Sequence, residues 1–318
     1  VADYDNGVWQ HVLGVPRVPL EKNLTDAQIG RWCKNMNIDV LVCTMWGTFV
    51  AGTGKSARGI VTVKEEYPEL KVIGLVDEPL MVDWCHRYGG DNYNMKQAQG
   101  YMDGIGDFDA VFTICQHEYK FYRSFNPNTF FVGLPFPDHG YSNLVFNDPH
   151  PARGDNIWIG LGVGGNAFTR WERNYGVALA AFENAVEIVR HEDPDKADRM
   201  RGLMLSWTEK SSMDILHNIK DRYPNVLIQM RTSMQDYLRY LQSCSAVISP
   251  IIRDTPGRLV GECAYFEIPL YGSDVPDIQR ELWGDELTFS PWDVKGYATG
   301  VAKQVLTDLD MKDTAKSA

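Results

Sequence analysis

Two acidic residues stand eight positions apart in the second half of the chain, Asp254 and Glu262. Between them, Pro256 and Gly257 predict that a helix begins here, with Thr255 as its N-cap and Gly257 in its first turn. A helix N-terminus offers N–H groups at the positive end of the helix dipole, which suits a diphosphate. The spacing places the two carboxylates about two turns apart, where they can hold hydroxyl groups of one extended ligand.

The stretch 249–274 carries a longer pattern around these two residues. It resembles the acidic E-x7-E signature of retaining GT-B glycosyltransferases, in which E-x-x-G-x4-E-A is followed by G-x-P. The residues that match in register are Asp254, Gly257, Glu262 and Pro269. Three positions depart from the signature: Asp254 replaces the first Glu, Cys263 replaces Ala, and Glu267 stands where Gly is usual.

The resemblance gives each part of this segment a role. It implies that Glu262 binds the ribose of a nucleotide-sugar donor and that Asp254, a catalytic candidate, contacts the transferred sugar. The backbone amides of Gly257, Arg258 and Leu259 would bind the diphosphate. The alternative is that Glu262 is an exposed helix residue paired with Arg258 at i, i+4, which contributes roughly a few tenths of a kcal/mol.

Glycines also follow the first predicted strand of the second half, at Gly162 and Gly164, and Arg170 and Arg173 precede the next helix. Such glycines let a phosphate approach the backbone, and guanidinium donors match phosphate oxygens. Charge accumulates on a diphosphate as the glycosidic bond breaks, so Arg173 is the second catalytic candidate. The alternative is that the arginines are the solvated end of an ordinary helix and the glycines only form a turn.

The resemblance supports Arg173, because the family has a basic residue just before this helix. The family's other basic residue is missing, since Leu161 stands in its place. Arg231, at the end of a later predicted strand, could supply that charge to the donor site, although a surface role is an equal alternative.

The first half of the chain offers weaker candidates for the acceptor side. His11 could act as a general base toward an acceptor hydroxyl, and Asp77 follows a predicted strand whose end can face a ligand. Retaining relatives often have a histidine at such a strand end, where this chain has Val76. The run Gly52–Ser56 is similar to a P-loop, but Phe49 replaces the first glycine, so nucleotide hydrolysis is not predicted.

Short apolar runs alternate with segments of helical period along the chain, which predicts parallel sheets with crossover helices. The region 134–155 has neither period and contains four prolines, so it is predicted to be a linker. The predicted fold class is therefore α/β, with two Rossmann-like doubly wound domains facing a cleft, and the resemblance implies that it is of GT-B type. The expected domains are 1–150, which would bind the acceptor, and 151–318, which would bind the donor. The last helix is a candidate to pack back on the N-terminal domain.

The individual elements follow from the same periodicities. Strands are predicted at Val8–Val15, Asp39–Cys43, Lys71–Val76, Asp109–Ile114, Thr129–Val132, Ile157–Leu161, Gly202–Ser206, Val226–Met230, Ala246–Pro250 and Pro269–Gly272. Helices are predicted at Asp26–Met36, Lys55–Tyr67 and Gln116–Phe125, and in the segment that has Val177, Ala181, Ala185 and Ile188 on one face.

The composition of the chain limits which binding partners and which cellular location are expected. The net charge of -11 argues against an extended nucleic-acid contact, although it allows a local basic pocket for one diphosphate. No apolar run approaches the roughly 20 residues of a membrane span, and no signal segment opens the chain, so a cytoplasmic protein is expected. The six cysteines form no C-x-x-C pair, which fits a reducing cytosol and argues against zinc.

The residues and the resemblance together predict a retaining glycosyltransferase. Its partner is a nucleoside-diphosphate sugar, which serves as co-substrate, and neither a metal nor another cofactor is expected. The nucleobase, the sugar, the acceptor and the oligomeric state stay open. Two alternatives also stay open: a nucleotide-sugar epimerase-like enzyme on the same fold, and a non-catalytic protein that binds a nucleotide sugar.

Overall fold

The structure is a computed structural model. It describes residues 24–44, 59–76, 102–133, 154–162, 173–206, 213–230, 233–252, 257–276 and 278–315. These residues belong to two compact units, one within Val1–Pro135 and the other within Phe136–Arg253 and Gly257–Ala318.

The first unit contains a four-stranded parallel sheet with the order β1-β2-β3-β4. Its strands are β1 (Val40–Thr44), β2 (Lys71–Val76), β3 (Ala110–Thr113) and β4 (Thr129–Phe131), and its helices are α1 (Asp26–Asn35), α2 (Gly59–Glu66) and α3 (Gln116–Phe125). Buried apolar side chains from the three helices and from β2 and β3 form one core.

Local sequence signals explain where α1 begins and ends. Thr25 and Gln28 form a capping box, in which each side chain accepts a hydrogen bond from the backbone N–H of the other. After the helix, Asn37 adopts a φ of 52°, and the N–H of Ile38 donates to the carbonyl of Cys33 at 2.9 Å. This is a Schellman ending, for which asparagine is a suitable residue.

The second unit contains a six-stranded parallel sheet with the order β10-β9-β8-β5-β6-β7. Its strands are β5 (Ile157–Leu161), β6 (Met200–Ser206), β7 (Val226–Met230), β8 (Cys244–Ser249), β9 (Leu270–Ser273) and β10 (Thr288–Phe289). Its helices are α4 (Tyr175–Glu192), α5 (Pro194–Arg199), α6 (Met213–Arg222), α7 (Met234–Gln242), α8 (Arg258–Tyr265), α9 (Gln279–Trp283) and α10 (Val294–Ala315).

One buried apolar cluster of the second unit lies between this sheet and the pair of helices α4 and α10. Small residues of α4, including Ala178, Ala181 and Ala185, are fully buried and let the helices and the sheet approach closely. Tyr297 and Val301 of α10 belong to the same buried cluster. The described side chains of the last helix therefore pack within the second unit.

The predicted fold class is confirmed: the chain is α/β, with two parallel sheets covered by helices. Three strands and α3 have the predicted bounds, and the other predicted strands in the described residues agree to within two residues at each end. The strand predicted at Val8–Val15 lies outside the described residues, as does the start of the helix predicted at Lys55–Tyr67.

Candidate functional site

The carboxyl ends of β5 and β8 lie side by side at the point where the strand order of the second sheet reverses. From β5 the chain adds β6 and β7 on one side and β8, β9 and β10 on the other. The N–H of Gly162 donates to the carbonyl of Ile248 at 2.7 Å, which links the two strand ends. Open α/β sheets bind ligands beside such a reversal, and both segments singled out in the sequence begin here.

Gly257 is the N-cap residue of α8, with φ 76° and ψ 40°. This corrects the prediction that Gly257 lies in the first turn of a helix capped by Thr255, because a residue in the left-handed region cannot continue a right-handed helix. A Cβ at position 257 would lie 2.8 Å from a side-chain carbon of Ile278. Both the backbone angle and the packing therefore require glycine here.

The first turn of α8 presents backbone donors at the reversal point. The N–H of Gly261 donates to the carbonyl of Gly257 at 3.1 Å, which is the first bond of the helix. Leu259 and Val260 precede this bond, so the helix itself does not use their N–H groups. Amides in this position can bind an anion.

Glu262 lies in the second turn of α8 and is buried, with 2% of its surface exposed. Its Oε1 accepts a hydrogen bond from Nε of Arg258 at 3.1 Å, so the predicted i, i+4 pair is present. Its Oε2 accepts a hydrogen bond from the hydroxyl of Tyr237 on α7. Glu262 is therefore not an exposed surface residue, and each of its carboxylate oxygens has one protein donor.

The pKa of the Tyr237 hydroxyl explains why it is the donor in the hydrogen bond with Glu262. Burial raises the pKa of the Tyr237 hydroxyl well above its ordinary value, and the negative charge of Glu262 raises it further. The phenol therefore stays protonated at neutral pH and donates to the carboxylate. A carboxylate has about four acceptor positions, so it can accept hydrogen bonds from several donors at a time.

The structure shows the surroundings of two residues that depart from the signature, Cys263 and Glu267. Cys263 is fully buried, where a thiol behaves as a small apolar side chain. Glu267 has a φ of 56°, a conformation that favours glycine, the residue usual at this position in the family. The N–H groups of Glu267 and Ile268 donate to the carbonyls of Ala264 and Cys263, which makes a Schellman ending.

Arg173 lies directly before Asn174, the N-cap residue of α4. The side-chain amide of Asn174 donates to the carbonyl of Pro291 at 2.8 Å, which fixes the start of α4 against another loop. Within the described part of the chain, the buried Nε of Arg173 has no hydrogen-bond partner. The predicted role of Arg173 toward a diphosphate stays a prediction.

Gly162 has a structural explanation that is independent of any ligand. Its φ is 59°, and a Cβ would lie 2.8 Å from the ring of Tyr175, whose hydroxyl donates to the carbonyl of Gly162 at 2.9 Å. Leu161, in the place of the family's second basic residue, is fully buried in β5. The turn after β5 thus requires glycine for packing alone.

Six of the predicted site residues lie outside the described residues, and their roles stay predictions: His11, Asp77, Gly164, Arg170, Arg231 and Asp254. Tyr237 is the member of the site that the sequence did not indicate. No group of three or more histidine, cysteine or acidic residues within the described ranges is arranged to hold a metal ion. Of the helices that the structure describes, none combines the length and the apolar character needed to cross a membrane.

No family model matches the chain, and no curated protein matches its sequence. Solved structures do match its fold. A trehalose-6-phosphate structure from E. coli bound with UDP-2-fluoro glucose has a TM-score of 0.61 at 9% identity, over 89% of this chain and 69% of that one. Sucrose-phosphate synthase from Thermosynechococcus elongatus has a TM-score of 0.62 at 10% identity, over 89% of this chain and 68% of that one.

A third similar structure is the N-terminal domain of trehalose-6-phosphate phosphatase from Candida albicans. Its TM-score is 0.60 at 13% identity, over 99% of this chain and 75% of that one. At such identities the similarity establishes the fold and leaves the activity to be tested. The chain has the α/β fold of the GT-B glycosyltransferases.

Proposed function

We propose that this chain is a glycosyltransferase that moves a sugar from a nucleoside-diphosphate sugar to an acceptor. The observation that carries the proposal is the buried carboxylate of Glu262, which two protein donors hold in the second turn of α8. This helix follows β8 at the reversal point of the sheet, the position at which such sheets bind nucleotides. A carboxylate accepts hydrogen bonds at about four positions, which suits it to the hydroxyl groups of a ribose.

The proposed donor site extends from Glu262 along the first turn of α8. The N–H groups before the first helical bond, at Leu259 and Val260, would bind the diphosphate together with the positive helix end. Arg173 would neutralise the charge that develops on the departing diphosphate, and Asp254 would contact the transferred sugar. Gly164, Arg170 and Arg231 complete the proposed donor side, and His11 and Asp77 remain candidates for the acceptor side.

The reaction exchanges one bond at the anomeric carbon of the donor. The bond from this carbon to the diphosphate oxygen breaks, and its electron pair leaves with the nucleoside diphosphate. A bond forms from the same carbon to an acceptor oxygen, which loses its proton. Retention of configuration is proposed from the E-x7-E resemblance, and exclusion of water from the site would prevent hydrolysis of the donor.

A non-catalytic nucleotide-sugar binding protein is the second candidate. It is favoured by the departures from the family pattern at Asp254, Glu267, Leu161 and Val76. An epimerase-like enzyme would share the same ribose site but would need no acceptor. Product analysis with donor alone separates these two possibilities, because only the epimerase-like enzyme would change the sugar without an acceptor.

A thermal-shift panel of UDP-, GDP- and ADP-sugars tests the proposal, with UDP-glucose first because one similar structure is bound with a UDP-sugar analogue. A ligand that binds only the native state at about 100 times its Kd stabilises it by about 2.7 kcal/mol. We expect at least one nucleotide sugar to raise Tm, and the E262Q variant to lose most of that increase. No increase with any nucleotide sugar would contradict the proposal.

A further inference from the structure

Tyr237 is a buried residue that forms a hydrogen bond between two helices of the second unit. It lies in the first turn of α7 and is 6% exposed, and its hydroxyl donates to Oε2 of Glu262 on α8. Ser233 caps α7 by accepting a hydrogen bond from the N–H of Asp236 at 3.0 Å, and the N–H of Tyr237 closes the first turn on the carbonyl of Ser233 at 2.9 Å. The backbone of Tyr237, from which the phenol ring extends, is therefore held in regular helix geometry.

A purely structural contact between α7 and α8 would be more stable if it were apolar. Removing a carboxylate from water costs several kcal/mol, and buried charged pairs can often be replaced by apolar side chains with no loss of stability. The tyrosine and the carboxylate are both nearly inaccessible, at 6% and 2% exposure. Such a pair is best explained by a requirement for the carboxylate in one orientation.

Arg258 and Tyr237 donate hydrogen bonds to different oxygens of the Glu262 carboxylate. Arg258 binds Oε1 from within α8, through an i, i+4 contact that allows the side chain to move with its own helix. Tyr237 binds Oε2 from a different helix. This second contact links the carboxylate to a neighbouring helix of the unit.

We propose that Tyr237 is a positioning residue for the donor, because it orients Glu262 so that the carboxylate can accept the hydroxyl groups of a ribose. This inference rests on the proposed function. Without the tyrosine hydroxyl, the Glu262 carboxylate loses its hydrogen bond to α7 and is held less firmly in this orientation. It must then be reoriented whenever a ribose binds, and part of the binding free energy is lost.

The effect should be greater for ligands that have a 2′-hydroxyl, because this group offers the carboxylate one more donor than the 2′-deoxy form does. Calorimetric titration of the full chain with UDP, GDP, ADP and CDP, and with the 2′-deoxy form of each, gives the ratio of the two Kd values for each base. We expect the wild-type chain to prefer the ribose form of at least one base, and E262Q to lose that preference. In Y237F the affinity for the ribose form should fall about tenfold, while that for the deoxy form changes little.

The Tyr297→Phe variant is the matched control. Tyr297 is another buried tyrosine of the same unit, and its hydroxyl has no hydrogen-bond partner within the described residues. Removing that hydroxyl should leave the ratio of Kd values at its wild-type level. Thermal unfolding of each variant checks that the second unit is intact.

The outcomes separate the inference from the proposed function. If E262Q loses the ribose preference and Y237F keeps it, the inference is wrong and the function stands. If Y237F weakens the ribose and deoxy forms equally, Tyr237 has only a structural role and the inference is again overturned. If the wild-type chain prefers no ribose form, the ribose site and the inference both fail.

Discussion

At the residue scale, the proposed function depends on the carboxylate of Glu262. Its burial is costly, and removing one partner of a buried charged contact typically destabilises a protein by several kcal/mol. The hydrogen bonds from Arg258 and Tyr237 offset that cost while the ligand is absent. We therefore expect changes at either partner to alter both stability and ligand affinity.

Glu267 provides a test at the residue scale that does not depend on a ligand. Its φ of 56° costs a residue with a side chain about 1 kcal/mol, and glycine adopts this angle without that cost. We expect E267G to raise the free energy of unfolding by about 0.5 kcal/mol, after the greater flexibility of glycine in the unfolded chain is subtracted. Urea unfolding measures this change.

The control for Glu267 is Asn37, which has the same position in the Schellman ending of α1 and a φ of 52°. Asparagine tolerates the left-handed region better than glutamate does, so N37G should change the stability less. Equal effects of the two substitutions, or a loss of stability in E267G, would contradict the assignment of backbone strain to Glu267.

Asp109 joins three elements of the first unit. Its carboxylate accepts a hydrogen bond from the N–H of Val72 at 2.8 Å and forms ion pairs with Lys64 on α2, at 2.7 Å, and with Lys71, at 3.5 Å. Burial by itself raises the pKa of Asp109, but the contacts with Lys64, Val72 and Lys71 outweigh it and hold the pKa below the ordinary value of 3.8.

The lowered pKa of Asp109 predicts how the stability of the first unit depends on pH. The carboxylate stabilises the folded state above its unfolded pKa of about 3.8, and this contribution is lost as the pH falls through the lower folded value. D109N should therefore be less stable than the wild type by about 1 kcal/mol near pH 7, after allowance for solvent screening. Urea titrations at about pH 7 and below about pH 4 measure the difference, which should shrink at the lower pH. A difference that is independent of pH would contradict this explanation.

Local patterns were sufficient to predict most elements, and the reason is physical. The strand Ile157–Leu161 is a short apolar run that is buried along its whole length, and Gln116–Phe125 has a clear helical period. The start of α8 was placed wrongly because Thr255 and Pro256 have strong local preferences for a helix start. The contact with Ile278, which lies 21 positions after Gly257 in the sequence, was not visible in these preferences.

The candidate site was only partly predictable for a related reason. Gly257, Arg258 and Glu262 lie within one helical turn or two of each other, so their spacing in the sequence is also their spacing in space. Tyr237 is 25 positions before Glu262 and reaches it only because α7 and α8 pack together. Contacts of this kind depend on the tertiary structure, and no local spacing encodes them.

At the scale of the whole molecule, each of the two units has its own parallel sheet. The reversal of strand order lies in the second unit, beside β5 and β8, so we propose that this unit binds the donor. The first unit would then contribute the acceptor site, as the resemblance implies.

Hydrogen exchange measured by mass spectrometry, with and without UDP-glucose or the nucleotide sugar that most raises Tm, tests the central claim most directly. Bound diphosphate and ribose should slow the exchange of amides in residues 257–262, because they occupy the first turns of α8. The same experiment with E262Q should show much less protection. A nucleotide sugar that binds but leaves the exchange of 257–262 unchanged would contradict the account, and so would the absence of binding by any nucleotide sugar.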